Sequence, residues 1–254
     1  SVGGDINIRN NDVLTDISGL SSITSLTGEL IVRDNPVLTS LSGLQNLGVP
    51  GGAITIFNNN NLTNINALNY GNLNGTLQIN TNPSLASLGT LSSITSIAGN
   101  IEILGNVSLT DISGLSDLTS ATGGLFVRSN ILLANLSGLE NLTDVGGALD
   151  VKDNTELRNL CGLNALVAST NYASYVVTGN GYNPVETDFP ANCQDPSLST
   201  GNFDTSTFSL YPNPITENQI TLECVGSLHK LHFLCGYRKR IQPSRNWLAW
   251  SKSY

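Results

Sequence analysis

Residues able to carry covalent or metal chemistry are few in this chain, and most sit at one end. The cysteines are Cys161, Cys193, Cys224 and Cys235, and both histidines, His229 and His232, lie between the last two. Cys224, His229, His232 and Cys235 offer thiolate and imidazole donors, the ligand types of zinc. Their Cys-x4-His-x2-His-x2-Cys spacing is not a usual zinc spacing, and no independent fold is legible around it. A nucleophilic Cys161 would need a base nearby, and no histidine precedes His229. Arg238-Lys239-Arg240 has the charge to meet phosphates or a membrane surface, but a bare basic triplet is thin support for either. The expectation is a chain without catalytic residues, metal or cofactor.

Glycoside chemistry requires carboxylates gathered in a groove, whereas Asp5, Glu29, Glu102 and Asp150 fall in no repeated column. All 19 acidic residues precede residue 224, against five basic ones (Arg9, Arg33, Arg128, Lys152, Arg158), a formal charge of −14. Residues 224–254 hold the other six basic residues and no acid. An acidic body argues against nucleic acid, whose affinity comes mainly from phosphate neutralisation. No apolar run approaches the roughly 20 residues of a membrane helix, so no membrane insertion is expected. Aromatics make up 6% and methionine is absent, so the core must be aliphatic. The missing initiator Met leads to the expectation that a leader has been removed.

What positions the remaining side chains is a repeat. Gly4, Gly28, Gly52, Gly75, Gly99, Gly123 and Gly147 recur at spacings of 24, 24, 23, 24, 24 and 24 residues. With each glycine as position 0, +2 and +4 are aliphatic in every unit, and +10 is always Leu. Positions +13 and +16 are Leu or Ile throughout, and +19 departs only at Gly71, in the short unit. The alternation at +2 and +4 predicts a short strand with one face inward. The strict threes that follow predict tight 3₁₀-like turns or short extended pieces, because an α-helix would mix threes and fours. Glycine at +15 (Gly19, Gly43, Gly114, Gly138, Gly162) is expected to supply a positive φ. Seven such units predict an all-β, right-handed, parallel β-helix-like solenoid, a rod about 30 Å long with a parallel sheet along one side.

Position +7 is asparagine in all seven units: Asn11, Asn35, Asn59, Asn82, Asn106, Asn130 and Asn154. Turned inward, it can satisfy backbone groups freed where each strand ends, and stacked copies form a ladder. That use removes Asn106 from the sequon Asn106-Val107-Ser108. The columns free to vary are +1, +3 and +5, on the outward strand face. There, Arg9, Arg33, Phe57, Gln78, Phe126, Arg128 and Lys152 form the candidate ligand surface, suited to stacking on sugars or gripping a protein. Asp/Asn turns such as Arg33-Asp34-Asn35 and Lys152-Asp153-Asn154 are a calcium alternative, without the paired glycines and aspartates of calcium-binding nonapeptide repeats.

GELIVRDNPVLTSLSGLQNL (28–47) and GNIEILGNVSLTDISGLSDL (99–118) resemble the receptor L-domain branch of the leucine-rich repeats over residues 1–169. The resemblance implies extracellular recognition or a scaffold, with adhesion as the working activity. A spacer without ligand, or an accessory part of a polysaccharide-active enzyme, stand as alternatives. The opening SVGG is similar to the tail of an earlier unit, so a longer array is expected. Residues 170–195 read as a C-terminal cap in which Tyr172, Tyr175, Tyr182 and Phe189 cover the last unit. Cys161 and Cys193 bracket it, and export would join them; four cysteines allow three pairings.

Residues 196–207 read as a polar linker. The motif Phe208-Ser209-Leu210-Tyr211-Pro212-Asn213-Pro214, with a strand over 219–223, then resembles the opening of the sorting domain used by the type IX secretion system. This implies a Gram-negative bacterium, passage through that secretion machinery, and a secreted or surface-attached product; the partner expected from the outward strand face is a glycan or surface protein. From residue 224 the resemblance fails, and 208–254 reads as a partial or corrupted sorting domain. The expected cause is a change of reading frame near residue 224. Translating the coding DNA in its other frames should then restore sorting-domain strands, and no restored strand in any frame would refute it.

Overall fold

The computed structural model describes residues 1–196, apart from Asn69, Thr90 and Ser92, and the strand backbones of Phe208–Tyr211 and Thr221–Cys224. These belong to two separate compact units, Ser1–Ser199 and Thr200–Tyr254.

The first unit is a sheet of parallel strands with little helix. Each repeat contributes one four- or five-residue strand: β1 (Ile6–Arg9), β2 (Leu30–Arg33), β3 (Ile54–Phe57), β4 (Leu77–Asn80), β6 (Ile101–Leu104), β8 (Leu125–Arg128) and β10 (Ala148–Lys152). They neighbour one another in chain order, and β11 (Ser174–Thr178) follows as the eighth strand. The register sets equivalent repeat positions side by side, as in Ile6↔Leu30 and Leu30↔Ile54. A small parallel sheet of β5 (Ser96–Ile97), β7 (Ser120–Ala121) and β9 (Asp144–Val145) runs elsewhere around the units.

The +2 and +4 side chains point inward and are buried from the second unit on, as are the +10, +13 and +16 columns. The expected tight turns are present. Leu109 N–H donates to Asn106 C=O at 2.9 Å, Leu115 to Ile112 at 3.0 Å and Leu118 to Leu115 at 3.0 Å, all three-residue closures. The run of threes also extends one step beyond the sequence reading, because Leu26, Ile97, Ala121 and Val145 at +22, and Leu73 at +21 of the short unit, are buried too. Unit three lacks an apolar +19; there Tyr70, buried at the neighbouring position, fills the space.

The expectation for +15 glycine is corrected. Only Gly43 and Gly138 of that column have φ in the left-handed range, at 117° and 112°. What Gly43, Gly114, Gly138 and Gly162 share is crowding, which Gly19 in the first unit lacks: a Cβ on Gly114 would lie 2.2 Å from the Gly89 carbonyl oxygen, and one on Gly162 2.0 Å from that of Leu136. At those four positions glycine is needed for close approach to the preceding unit. The recurrent positive φ falls at +6 instead, at Asn10, Asp34, Asn58, Thr81, Ser129 and Asp153, with glycine at Gly105.

That left-handed residue ends each strand and turns the +7 asparagine inward. Asn35, Asn59, Asn82, Asn106, Asn130 and Asn154 are each 0% exposed. The Asn82 backbone N–H donates to Asn106 Oδ1 at 2.9 Å, and Asn106 Nδ2 donates to the Ile79 carbonyl at 2.7 Å. The same pair of bonds repeats from Asn59, through Asn130, to Asn154. Asn11, at the start, makes one bond of this kind, Nδ2 to Asn35 Oδ1 at 2.9 Å.

The cap continues this plan. Asn154 N–H and Nδ2 donate to Asn180 Oδ1 at 3.0 and 2.9 Å, and Asn180 N–H donates to Asn183 Oδ1 at 2.9 Å. The segment expected as cap thus contributes an eighth strand and an eighth ladder residue before closing. Helix α1 (Asn164–Ser169) buries Leu166 and Val167. Tyr172, Tyr175, Tyr182 and Phe189 pack on the core, and Cys161 is disulfide-bonded to Cys193. Closing a loop of 32 residues' separation is worth about 3–4 kcal/mol in the chain-entropy model.

In the second unit, β12 (Phe208–Tyr211) pairs antiparallel with β13 (Thr221–Cys224). Of the residues read as resembling a sorting motif, Leu210 and Tyr211 lie in β12, and the strand expected over 219–223 begins two residues later. Pro212, Asn213, Pro214 and the His229, His232, Cys235 and Arg238 region lie outside the described residues.

Asn106→Ala would strand a buried N–H of Asn82 and a buried carbonyl of Ile79, a loss of about 2–5 kcal/mol. Asn11→Ala, at the half-exposed end, should cost less than about 1 kcal/mol. Urea unfolding of the two variants checks this, and equal losses would mean that the ladder does not carry the stability assigned to it.

Candidate functional site

The outward face of the large sheet is built by three rows of side chains running across the strands. In-register pairing places Asn7, Ile31, Thr55, Gln78, Glu102, Phe126, Asp150 and Val176 in the +3 row. The +5 row is Arg9, Arg33, Phe57, Asn80, Leu104, Arg128, Lys152 and Thr178. Neighbours within a row stand about 4.8 Å apart. All seven residues read as a candidate surface therefore lie on one face, but their surroundings divide them.

Gln78 is held at both ends of its amide. Thr55 Oγ1 donates to its Oε1 at 3.0 Å, and its Nε2 donates to Glu102 Oε2 at 2.7 Å. Asn100 Nδ2 reaches the other Glu102 oxygen at 3.1 Å. A ligand would have to compete with this network for Gln78, so the residue braces the sheet.

Phe126, Arg128 and Lys152 are engaged as well. Asp150, placed on the outward face by the alternation, has a side chain only 6% exposed. Arg128 Nε donates to its Oδ1 at 2.9 Å, with Nη2 on Oδ2, and Lys152 Nζ lies 3.1 Å from Oδ2. The Arg128 guanidinium also lies 5.1 Å over the Phe126 ring. Two cations cover one carboxylate, and the aromatic beneath is half-buried rather than offered to solvent.

The other end of the face differs. Phe57 is 37% exposed, beside Arg33 in the +5 row, which stands beside Arg9. Arg33 makes one long ion pair, Nε to Asp34 at 3.7 Å, with its side chain 40% exposed. Arg9 makes no ion pair among the described residues. Directly opposed like charges work against a sheet. Arg9, Arg33 and Phe57 therefore present the part of the surface least tied to its neighbours, with Ile31 and Thr55 in the row behind. The Arg128 and Lys152 side chains also reach solvent, at 39% and 31%, but are held by Asp150.

Concavities elsewhere offer less. A cleft of about 370 Å³ on the first unit is lined by Ile8, Leu14, Ile17 and Leu20 with Asn7, Asn11 and Asp16. Its acid, Asp16, accepts from the Ser18 hydroxyl and backbone N–H, which hold its pKa below the usual carboxylate value. Asp34 and Asp153, from the calcium alternative, occupy the left-handed +6 position, and Asp34 Oδ1 accepts from Asn58 Nδ2 at 2.7 Å. No group of three potential metal-ligating side chains occurs among the described residues.

Sequence reasoning missed the shielding of Asp150 and the +6 column. The latter had a signal, since Asn, Asp, Gly, Ser and Thr, residues common in turns, fill it throughout. Comparison with family models, curated proteins and solved structures finds no match for this chain.

Asp150→Ala should leave Arg128 and Lys152 side by side without their counter-ion. A loss of about 1–2 kcal/mol is expected for this partly exposed cluster, with Arg128→Ala or Lys152→Ala costing less because the other cation remains. Denaturant titration would reject the bracing role if Asp150→Ala proved neutral.

Proposed function

We propose that the chain is a non-enzymatic recognition module of the cell surface, binding a glycan or a surface protein through the outer strand face. In this reading, residues 1–169 are seven coils of a right-handed, leucine-rich-repeat-like solenoid, and 170–195 cap it. Residues 208–223 are the remnant of a type IX sorting signal that takes the product to the surface of a Gram-negative bacterium. The period of 24 residues, shortened to 23 in one unit, and the asparagine ladder support the architecture. The Phe208–Tyr211 strand is compatible with the sorting motif.

One observation carries the functional part. On a face where Gln78, Arg128 and Lys152 are tied to their neighbours, Arg9, Arg33 and Phe57 stand exposed, in register and largely unpaired. A rigid sheet holding them at fixed spacing would lose little side-chain or backbone freedom on binding, which favours affinity.

The full chain would be titrated over immobilised glycans and purified surface proteins, beside Arg33→Ala/Phe57→Ala and Gln78→Ala variants with unchanged circular dichroism. Saturable binding should fall at least tenfold in the double variant and persist in Gln78→Ala. Binding indifferent to the double variant would remove this face from the mechanism. Absence of any saturable ligand would remove the recognition role.

A further inference from the structure

The distribution of charge on the same face narrows the ligand. Of the five basic residues before residue 224, four (Arg9, Arg33, Arg128, Lys152) fall in the single +5 row, against 19 acids over the same stretch. Random placement around a 24-residue unit does not concentrate cations in one column. The sheet then aligns them. Arg9 and Arg33 are adjacent on β1 and β2, and Arg128 and Lys152 are adjacent on β8 and β10. Four strand spacings separate Arg33 from Arg128, about 19 Å at the usual pitch.

The acids nearby do not cancel this row. Asp150 lies beneath Arg128 and Lys152, with its side chain 6% exposed, so one carboxylate faces two cations. Asp34 is 3.7 Å from Arg33 and also accepts from Asn58. Glu102 is held by Gln78 and Asn100 in the row behind. Asp5 and Glu29 are at +1, the far end of the strands, where Asp5 accepts from the Glu29 backbone N–H at 2.8 Å. Asp153, like Asp34, is at +6 beside the row. Four cations thus stand against three neighbouring carboxylates, Asp34, Asp150 and Asp153, and the +5 row keeps a net positive charge on an acidic molecule.

We propose that the face binds a linear anionic polysaccharide laid across the strands along the +5 row. Arg9 and Arg33 would engage one acid group, Phe57 would pack against the apolar face of a sugar ring, and Arg128 and Lys152 would meet a later acid group. This rests on the recognition reading above and adds the ligand's charge and shape. Paired cations about 19 Å apart suit a polymer with widely spaced acid groups. A densely charged polymer such as nucleic acid would leave many anions unneutralised against a body of net negative charge. The two opposed arginines, which work against the bare sheet, are relieved when an anion lies between them.

The test measures binding of the full chain to polygalacturonate, dextran sulfate, neutral dextran and fully methyl-esterified polygalacturonate. Polyadenylate and phosphatidylserine vesicles are run alongside, each at 50 and 200 mM salt. The expected result is binding to one or both acidic polysaccharides, at least tenfold tighter than to the neutral polymers. It should weaken about tenfold over that salt range if two counter-ions are released. Arg9→Gln/Arg33→Gln should abolish the preference for the acidic form while leaving the unfolding midpoint unchanged or raised. A preference for sulfate over carboxylate, or the reverse, identifies the acid group within the proposal. Equal, salt-insensitive binding of neutral and acidic polymers would overturn the anionic class yet leave glycan recognition standing. Stronger binding to polyadenylate or to vesicles would overturn the polysaccharide assignment. No binding to any probe by folded protein would overturn it too, while a protein ligand found in the earlier screen would keep the recognition reading alive.

Discussion

One side chain per repeat must do what water cannot. Where each strand ends, the chain turns inward, and its backbone N–H and C=O groups enter a core of Leu, Ile and Val. The +7 asparagine closes that gap, accepting from the asparagine of the preceding unit and donating to that unit's +4 carbonyl. It does so with no exposure at all from Asn35 to Asn154. Leucine, isosteric but apolar, would leave several polar groups unsatisfied at every turn. The parallel sheet, the turns and the outward face all depend on this column.

Its geometry has a cost one residue earlier. To bring asparagine inward, +6 must adopt a left-handed backbone, which L-residues other than Asn, Asp and Gly resist. Even Thr81 and Ser129 accept φ of 56°, because the +6 N–H gains a partner on the next strand. Thr81 donates to the Leu104 carbonyl at 2.7 Å and Ser129 to that of Lys152 at 2.9 Å. Strand pairing and ladder together outweigh the strain. The outcome is an outward row, +5, held rigidly just before a fixed turn, which is a favourable place to display side chains to a ligand.

The end of the stack follows the same physics. A last unit without a successor would leave Asn154 and the β10 edge open. The chain supplies β11, Asn180 as acceptor and Asn183 as terminator, then locks the segment with the Cys161–Cys193 bond and the Arg158–Asp195 ion pair at 2.7 Å. The aromatic hydroxyls find carbonyl or carboxylate partners on the surface, Tyr175 on Pro184 at 2.6 Å and Tyr172 on Glu186 at 3.0 Å. Apolar rings cover the core while their polar ends stay satisfied.

The repeat, the inward asparagine, the three-residue turns and the pairing of Cys161 with Cys193 were legible in the sequence, because each recurs as a column or brackets a break in periodicity. Buried +2 and +4 residues and the outward position of Arg9, Arg33 and Phe57 follow from the same alternation. Tertiary structure alone decided how those outward residues differ. Gln78 and Phe126 look available in the sequence, yet Glu102 engages Gln78 from the next unit, 24 residues on, and Arg128, two residues on in the same strand, folds over Phe126 towards Asp150 of the next unit. Asp150 lies in an outward column and is nonetheless buried, because Arg128 and Lys152 fold over it. Asn180 escaped the column because it stands 26 residues, not 24, beyond Asn154. Periodicity reports which way a side chain points. Packing within and between strands decides what it meets there, and the contacts that hold Gln78 and Asp150 to the adjacent unit join residues about a full repeat apart.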